Sequence, residues 1–339
     1  MNFPLIEIFQ PLWFLILGSA LFLWTVLDGF DLGAAMLTPF FSKMEEDKIL
    51  AIHTFWPVWD GNALWGLTAG GALFAIFPLA FTQILSGLYP YVMLLLVALI
   101  FRPIAFELWH HSKDKRLWGF ILALASFGTI LLPGAVLGNT IAGYGVNPAG
   151  WLEGGLLSIL NPYALVTALL LTLLTLVHGA QWLALKLPEE ARSKAVKAFK
   201  IIWIPTLVLA ITWVLWSALI YGGSSKPFFW IAGSLFILGQ ILLRWRGNGV
   251  KPQGKLAFGI SATTLGFFWV SVGILQFPNL IRAPGGVPGL TIAASAPEGT
   301  LVFLGVAAPL VLLAVSVYTI YIYKIFKGKV DIKNLPTYK

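Results

Sequence analysis

The chain contains no cysteine, which excludes disulfides, thiolate metal sites and thioester chemistry. Charge is nearly as scarce: only 11% of the 339 residues are Asp, Glu, Lys or Arg, where a soluble protein carries roughly 25%. A surface that faces lipid has no use for charge, and charge placed within lipid is costly. No phosphate-binding glycine loop, zincin motif or nucleophile elbow occurs, so nothing points to nucleotide, metalloprotease or serine-hydrolase chemistry. What is abundant is apolar surface. Hydrophobic residues make up 58% of the chain, with 15 Trp suited to membrane interfaces and 34 Gly suited to close helix packing. The net charge of +8 sits in short connections between apolar runs, which sets membrane topology and does not form a nucleic-acid footprint.

A helix needs ~20 mainly apolar residues to cross the hydrocarbon core. Nine runs meet this requirement, at 12–37, 58–81, 85–106, 117–141, 162–186, 202–222, 228–245, 256–277 and 302–326. The first run lacks a basic flank and a small-residue cleavage site, so it is expected to be retained as a span. If the spans alternate with the N-terminus outside, 19 of the 22 basic residues fall on the inner side. Only Lys226 and Arg282 lie outside, and Arg102 sits at an inner helix end. The sequence thus predicts an all-α integral membrane protein of about nine helices, N-out and C-in.

A faint internal repeat adds organisation. The first span ends Thr25-Val26-Leu27-Asp28-Gly29-Phe30-Asp31 and the fifth Leu176-Val177-His178-Gly179-Ala180-Gln181. Each is followed by a charged loop and an aromatic or aliphatic residue before Pro, at Trp56-Pro57 and Ile204-Pro205. Two four-helix bundles in parallel orientation are one expectation; coincidence between two apolar helices is the other. The first divides the chain into 1–141, 142–277 and 278–339, the last holding an outer loop, a peripheral ninth helix and a basic tail.

The most informative residues violate this composition. Asp28 and Asp31 lie three apart at the end of the first span and project from one face. Asp60 opens the second span, in Trp59-Asp60-Gly61-Asn62. All three are expected near the inner face, as one acidic cluster open to the cytoplasm and suited to taking up protons. The structural alternative is that they cap helices or pair with cations. Arg102-Pro103 closes the third span with Glu107 just beyond, so an Arg102 salt bridge to Asp60 or Glu107 is one expectation, as a structural lock, and a functional relay is the other. Of the four His, only His178 lies deep in a span, and it lacks a partner at bis-His spacing. His53, His110 and His111 are assigned to inner loops. A hydrogen-bonded or solvated role is expected for all four.

Several motifs stand in fixed order: Asp28-Gly29-Phe30-Asp31-Leu32-Gly33, Trp59-Asp60-Gly61-Asn62 with Trp65, Thr68-Ala69-Gly70-Gly71-Ala72-Leu73-Phe74, and Phe101-Arg102-Pro103. Together they resemble subunit II of cytochrome bd-type quinol oxidases. Weaker matches follow at Gly138-Asn139, Leu160-Asn161-Pro162 and Gly179-Ala180, and the C-terminal third matches only in hydropathy. The resemblance implies a haem-free subunit paired with a subunit I that carries haem b, a second high-spin haem b and haem d. Quinol would be the substrate of the complex, with a quinone or lipid and a small single-helix subunit as further partners. The complex would reduce dioxygen to water in a bacterial or archaeal plasma membrane and build proton motive force by charge separation. By motif position, Asp60, Asp31, Asp28 and Glu107 would form a proton path from the cytoplasm. Arg102 and Asn62 would support that path, and Trp59 and Trp65 would line the subunit interface or an oxygen route. A proton-coupled transporter and a pure assembly scaffold remain the other readings of the same residues.

Overall fold

The computed structural model describes residues 5–145, 152, 161–247, 254–283 and 289–330. Eleven α-helices occupy them. They are α1 (Leu5–Phe41), α2 (Glu45–Phe55), α3 (Trp59–Ile76), α4 (Pro78–Gly87), α5 (Tyr89–His111), α6 (Lys115–Ala142), α7 (Pro162–Lys186), α8 (Glu189–Ile220), α9 (Pro227–Arg246), α10 (Gly254–Gln276) and α11 (Glu298–Ile325). A two-stranded antiparallel pairing of Asn279–Ile281 with Leu290–Thr291 lies in the connection before α11. Among the described residues eight helices are long and apolar enough to span a bilayer, and the α3–α4 pair, bent by 113°, brings the number to nine if it is one broken span and not a re-entrant loop. Leu160, Lys251, Lys333, Lys339 and much of the 142–161 connection lie outside the described residues.

The second span was expected to run straight through 58–81. It breaks at Phe77 because Pro78 disfavours a helical conformation in the residue before it. In lipid the freed carbonyls need partners, and Ile76 O accepts the N–H of Ala296 at 2.7 Å. Other boundaries follow local signals. Asn161 caps α7 by accepting the Ala164 N–H at 2.7 Å, with Pro162 at the first helical position. Asp114 caps α6 in the same way, at 3.0 Å from Leu117 N.

Two helices are longer than their apolar runs. Helix α1 extends to Phe41, roughly 55 Å at 1.5 Å per residue, so Asp28 and Asp31 sit well inside it. Helix α8 begins at Glu189 instead of near 202, and its charged first turns pack on α2 through a Lys194–Asp47 ion pair shared with Ser42. Apolar content marks only the stretch inside lipid, so polar helical extensions escape it. Pro103 lies within α5, which runs on to His111; Arg102 is therefore interior and does not close the helix. Proline is tolerated there because helices in a bundle can re-satisfy the freed backbone groups.

The centre of the molecule is the α1–α7 seam. A Cβ on Gly33 would lie 3.0 Å from Gly179 Cα, and one on Gly179 would lie 2.7 Å from Gly33 Cα. Only glycine permits backbones this close. Gly134 and Gly138 of α6 meet Ala168 and Ala164 of α7 in the same manner. Around the seam, α1 packs on α3 and α6, while α7 packs on α8 and α10; α5 pairs with α6 and α9 with α10. Helix α11 lies against α3 and α1 and buries only Leu301 fully.

Candidate functional site

The polar residues converge between α1, α3, α5 and α11. Asp28, Asp31 and Arg102 are 1%, 0% and 4% exposed. Arg102 makes a bidentate pair with Asp28, Nη1 to Oδ2 at 3.0 Å and Nη2 to Oδ1 at 2.5 Å. Trp24, one helical turn before Asp28, donates its indole N–H to Oδ2 at 3.0 Å. The guanidinium also lies 5.6 Å from the ring centre of Trp59. Asp31 accepts from Asn62 Nδ2 at 2.8 Å, and Asn62 Oδ1 accepts from the hydroxyl of Tyr323 at 3.1 Å. The second oxygen of Asp31, Oδ1, is buried with no partner among the described residues. Nearby, Trp65 donates to Thr319 of α11 at 3.4 Å.

This arrangement corrects two expectations. Arg102 pairs with Asp28, not with Asp60 or Glu107. The carboxylates also do not form one open cluster, because Asp28 and Asp31 are sealed in the interior while Asp60 is exposed on the first turn of α3. Glu107 is likewise exposed and hydrogen-bonds His111 at 3.2 Å. Helical geometry explains the split: Asn62 turns inward, whereas Asp60, two residues earlier, is rotated off that face. Trp24, Tyr323 and Thr319 were missed. Trp24 sits four residues before Asp28, a detectable spacing; Tyr323 and Thr319 carry no signal until α11 is docked on α3.

Two carboxylates facing one guanidinium define the chemistry of the cluster. The bidentate pair satisfies Asp28, and Asp31 is left with one hydrogen bond and a bare oxygen. Burial of an unbalanced charge is expensive, and among the described residues the carboxylate left without its own cation is Asp31. The chain Tyr323–Asn62–Asp31 supplies hydrogen-bonding groups that lead to it.

His178 uses both ring nitrogens, Nδ1 with Ser261 Oγ at 2.6 Å and Nε2 with Val26 O at 3.0 Å, and it stacks on Phe258. His53 lies in α2, and His110 and His111 in the last turn of α5, so none of the three is in a loop. No group of three or more His, Asp or Glu suited to a metal occurs among the described residues. His53 is buried with its ring 5.6 Å from that of His110. Burial, and secondarily His110, push its pKa from the usual 6.5 down to about 4. Below pH 6.5 the unfolded chain therefore binds a proton that the folded chain refuses, so stability falls as the pH drops from 6.5 towards 4. Thermal unfolding in detergent at a series of pH values should show this acid loss, and His53→Gln should reduce it.

A cavity of about 810 Å³ lies beside the cluster, walled by α1, α3, α4, α5, α6 and α10 and by Asn279–Ile281. Its wall is apolar apart from a few groups, among them Asp28, and the open faces of Gly70 and Gly71 contribute to it.

Residues 9–326 match the family described as cytochrome bd terminal oxidase subunit II. The chain is 31% identical over 220 residues to cytochrome bd-I ubiquinol oxidase subunit 2 of Escherichia coli (strain K12), covering 62% of this chain and 58% of that protein. That alignment thus reaches little more than half of the relative's length. The probable cytochrome oxidase subunit 2 of Haemophilus influenzae is 27% identical, with 96% of both chains covered. Cytochrome bd ubiquinol oxidase subunit 2 of Bacillus subtilis is 26% identical, covering 97% of this chain and 99% of that one. Among solved structures, a chain of the bd oxidase from Geobacillus thermodenitrificans superposes with a TM-score of 0.74. The match covers 94% of this chain and 99% of that one at 18% identity, which establishes a common fold.

Proposed function

This chain belongs to the cytochrome bd terminal oxidase subunit II family, and on that premise we propose that it is the haem-free partner of a haem-bearing subunit I. The complex would oxidise quinol and reduce dioxygen to water in a bacterial or archaeal plasma membrane. The haems of subunit I supply the redox chemistry; this chain supplies packing and protons. Segregation of the basic residues supports an N-out, C-in orientation. The matching neighbour relations of α1 and α7 support a division into two four-helix bundles with α11 peripheral.

The observation that carries the proton role is the buried Arg102–Asp28 pair beside a half-satisfied Asp31. In this reading Asp60, exposed at the start of α3, collects protons, with Glu107 as a second surface acceptor. Asn62 and Tyr323 connect towards Asp31, which holds the proton. Arg102 holds Asp28 as its counterion and neutralises one of the two carboxylates, which leaves Asp31 as the one that exchanges the proton.

The test compares Asp31→Asn and Asp60→Asn in the purified complex. Both are expected to keep the reduced-minus-oxidised haem spectrum. Asp31→Asn, which still accepts the Asn62 hydrogen bond through its amide oxygen, should lower quinol-dependent oxygen uptake by about a hundredfold, the scale of a lost proton-transfer group. Asp60→Asn should lower it less, because other surface acceptors and water remain. Wild-type turnover in Asp31→Asn would remove the proton role, and loss of haem in either variant would assign that residue to assembly.

A further inference from the structure

A second cavity, of about 1140 Å³, opens on the outside of the bundle between the first half of α1 and the second half of α10. The start of α9 closes one end of it, at Ser225, Lys226 and Pro227. Its walls are aromatic, with Phe14 and Phe22 on one side and Phe267 and Trp269 on the other. Gly18 and Gly273 leave its floor bare, since a Cβ at either would meet nothing within 4 Å. The groove runs from Pro11 to Phe22 along α1 and from Thr263 to Phe277 along α10, roughly 16–21 Å at 1.5 Å per residue. That is about one leaflet of a ~30 Å hydrocarbon core. A spanning helix of another subunit would need a groove of the full thickness, whereas an acyl chain needs only half.

Among the described residues no carboxylate pairs with the positive charge at the closed end. The Lys226 ammonium donates to the carbonyls of Ile274 at 2.7 Å, Leu275 at 3.1 Å and Phe277 at 3.1 Å. Arg282 shares the Leu275 carbonyl and donates to Tyr221 O at 2.9 Å. Neither cation is in an ion pair among the described residues. Burial, and then the charge of Arg282, hold the Lys226 pKa below its ordinary value. The carbonyls satisfy hydrogen bonds but leave two like charges side by side, and an anion placed next to them lowers the energy of both.

We propose that this groove binds an anionic phospholipid of one leaflet, with an acyl chain over Gly18 and Gly273 and the phosphate at the Lys226 end. The inference does not depend on the proton role, and Lys226 lines only this groove, although Gly18 and Gly273 also line the cavity that reaches Asp28. Its test uses the protein purified in detergent with whatever subunit accompanies it. Native mass spectrometry of the wild type should show phosphatidylglycerol retained after washing. Lys226→Gln should weaken retention about fivefold, the effect of one cation near a headgroup. Gly273→Leu keeps Lys226 and its carbonyl contacts but fills the floor, and it should abolish retention while leaving the unfolding temperature unchanged. Should either variant fail to fold, spin-labelled lipids on the wild type decide. A larger immobilised fraction for phosphatidylglycerol than for phosphatidylcholine supports the site, and equal fractions overturn it. Unchanged retention in both folded variants, or a quinone or protein helix seated in the groove, would also overturn it.

Discussion

Replacing Arg102 with leucine is expected to cost the protein ~3–5 kcal/mol, the scale seen when one member of a buried ion pair is removed. The variant would leave Asp28 and Asp31 in the interior with no cation among the described residues able to answer them. It would also strip the bidentate hydrogen bonds from Asp28 and the cationic contact from the Trp59 ring. A loss of this size is a large fraction of the roughly 5–15 kcal/mol that holds a typical domain folded, so the amount of protein in the membrane should fall sharply. Arg102→Lys should do better but not recover fully, because an ammonium cannot make the two-pronged contact. The double variant Arg102→Leu with Asp28→Leu removes both charges together and should regain a large part of the stability. Expression level and the midpoint of thermal unfolding in detergent measure all three. An Arg102→Leu protein as stable as the wild type would mean that the pair contributes nothing.

The second large effect is expected at Gly179. Its neighbours across the seam are Gly33 and the backbone of Ala34, not the flexible end of a side chain. A valine there cannot be accommodated by a rotamer change, so α1 and α7 must separate along their length. Overpacking a tight interior usually costs ~1–3 kcal/mol; two backbones in contact place this case at or above the top of that range. Gly70→Val is the control, since a Cβ there meets nothing within 4 Å. The unfolding midpoint should drop sharply for Gly179→Val and barely move for Gly70→Val, and equal midpoints would show that the seam can yield. Because α1 carries Asp28 and Asp31, a displaced seam should also disturb the Arg102–Asp28 pair and the Asn62–Asp31 hydrogen bond.

Asp28, Asp31, Arg102 and Asn62 were all identifiable because charge and amide groups are conspicuous within apolar runs. Their pairing was not. Arg102 and Asp28 are 74 positions apart, and nothing local distinguishes Asp28 from Asp60 or Glu107 as the partner. The broken span was legible in principle at Phe77-Pro78, but hydropathy carries no record of a bend, so a continuous helix fitted equally well. His53 and His110 looked like loop residues because short charged segments do not register as spans, yet they lie on helices packed together.

The sequence by itself determined that the chain lies in a membrane, that it is built of eight or nine apolar helices, and which residues are out of place there. The reason is that the cost of charge in lipid acts on each segment separately. Only the tertiary structure decided which carboxylate is neutralised, which keeps a bare oxygen, and that Tyr323 of the last helix reaches Asn62 of the third. Those outcomes depend on the approach and rotation of helices about the Gly33–Gly179 contact, and side-chain pairing across helices is fixed only once the backbones have met.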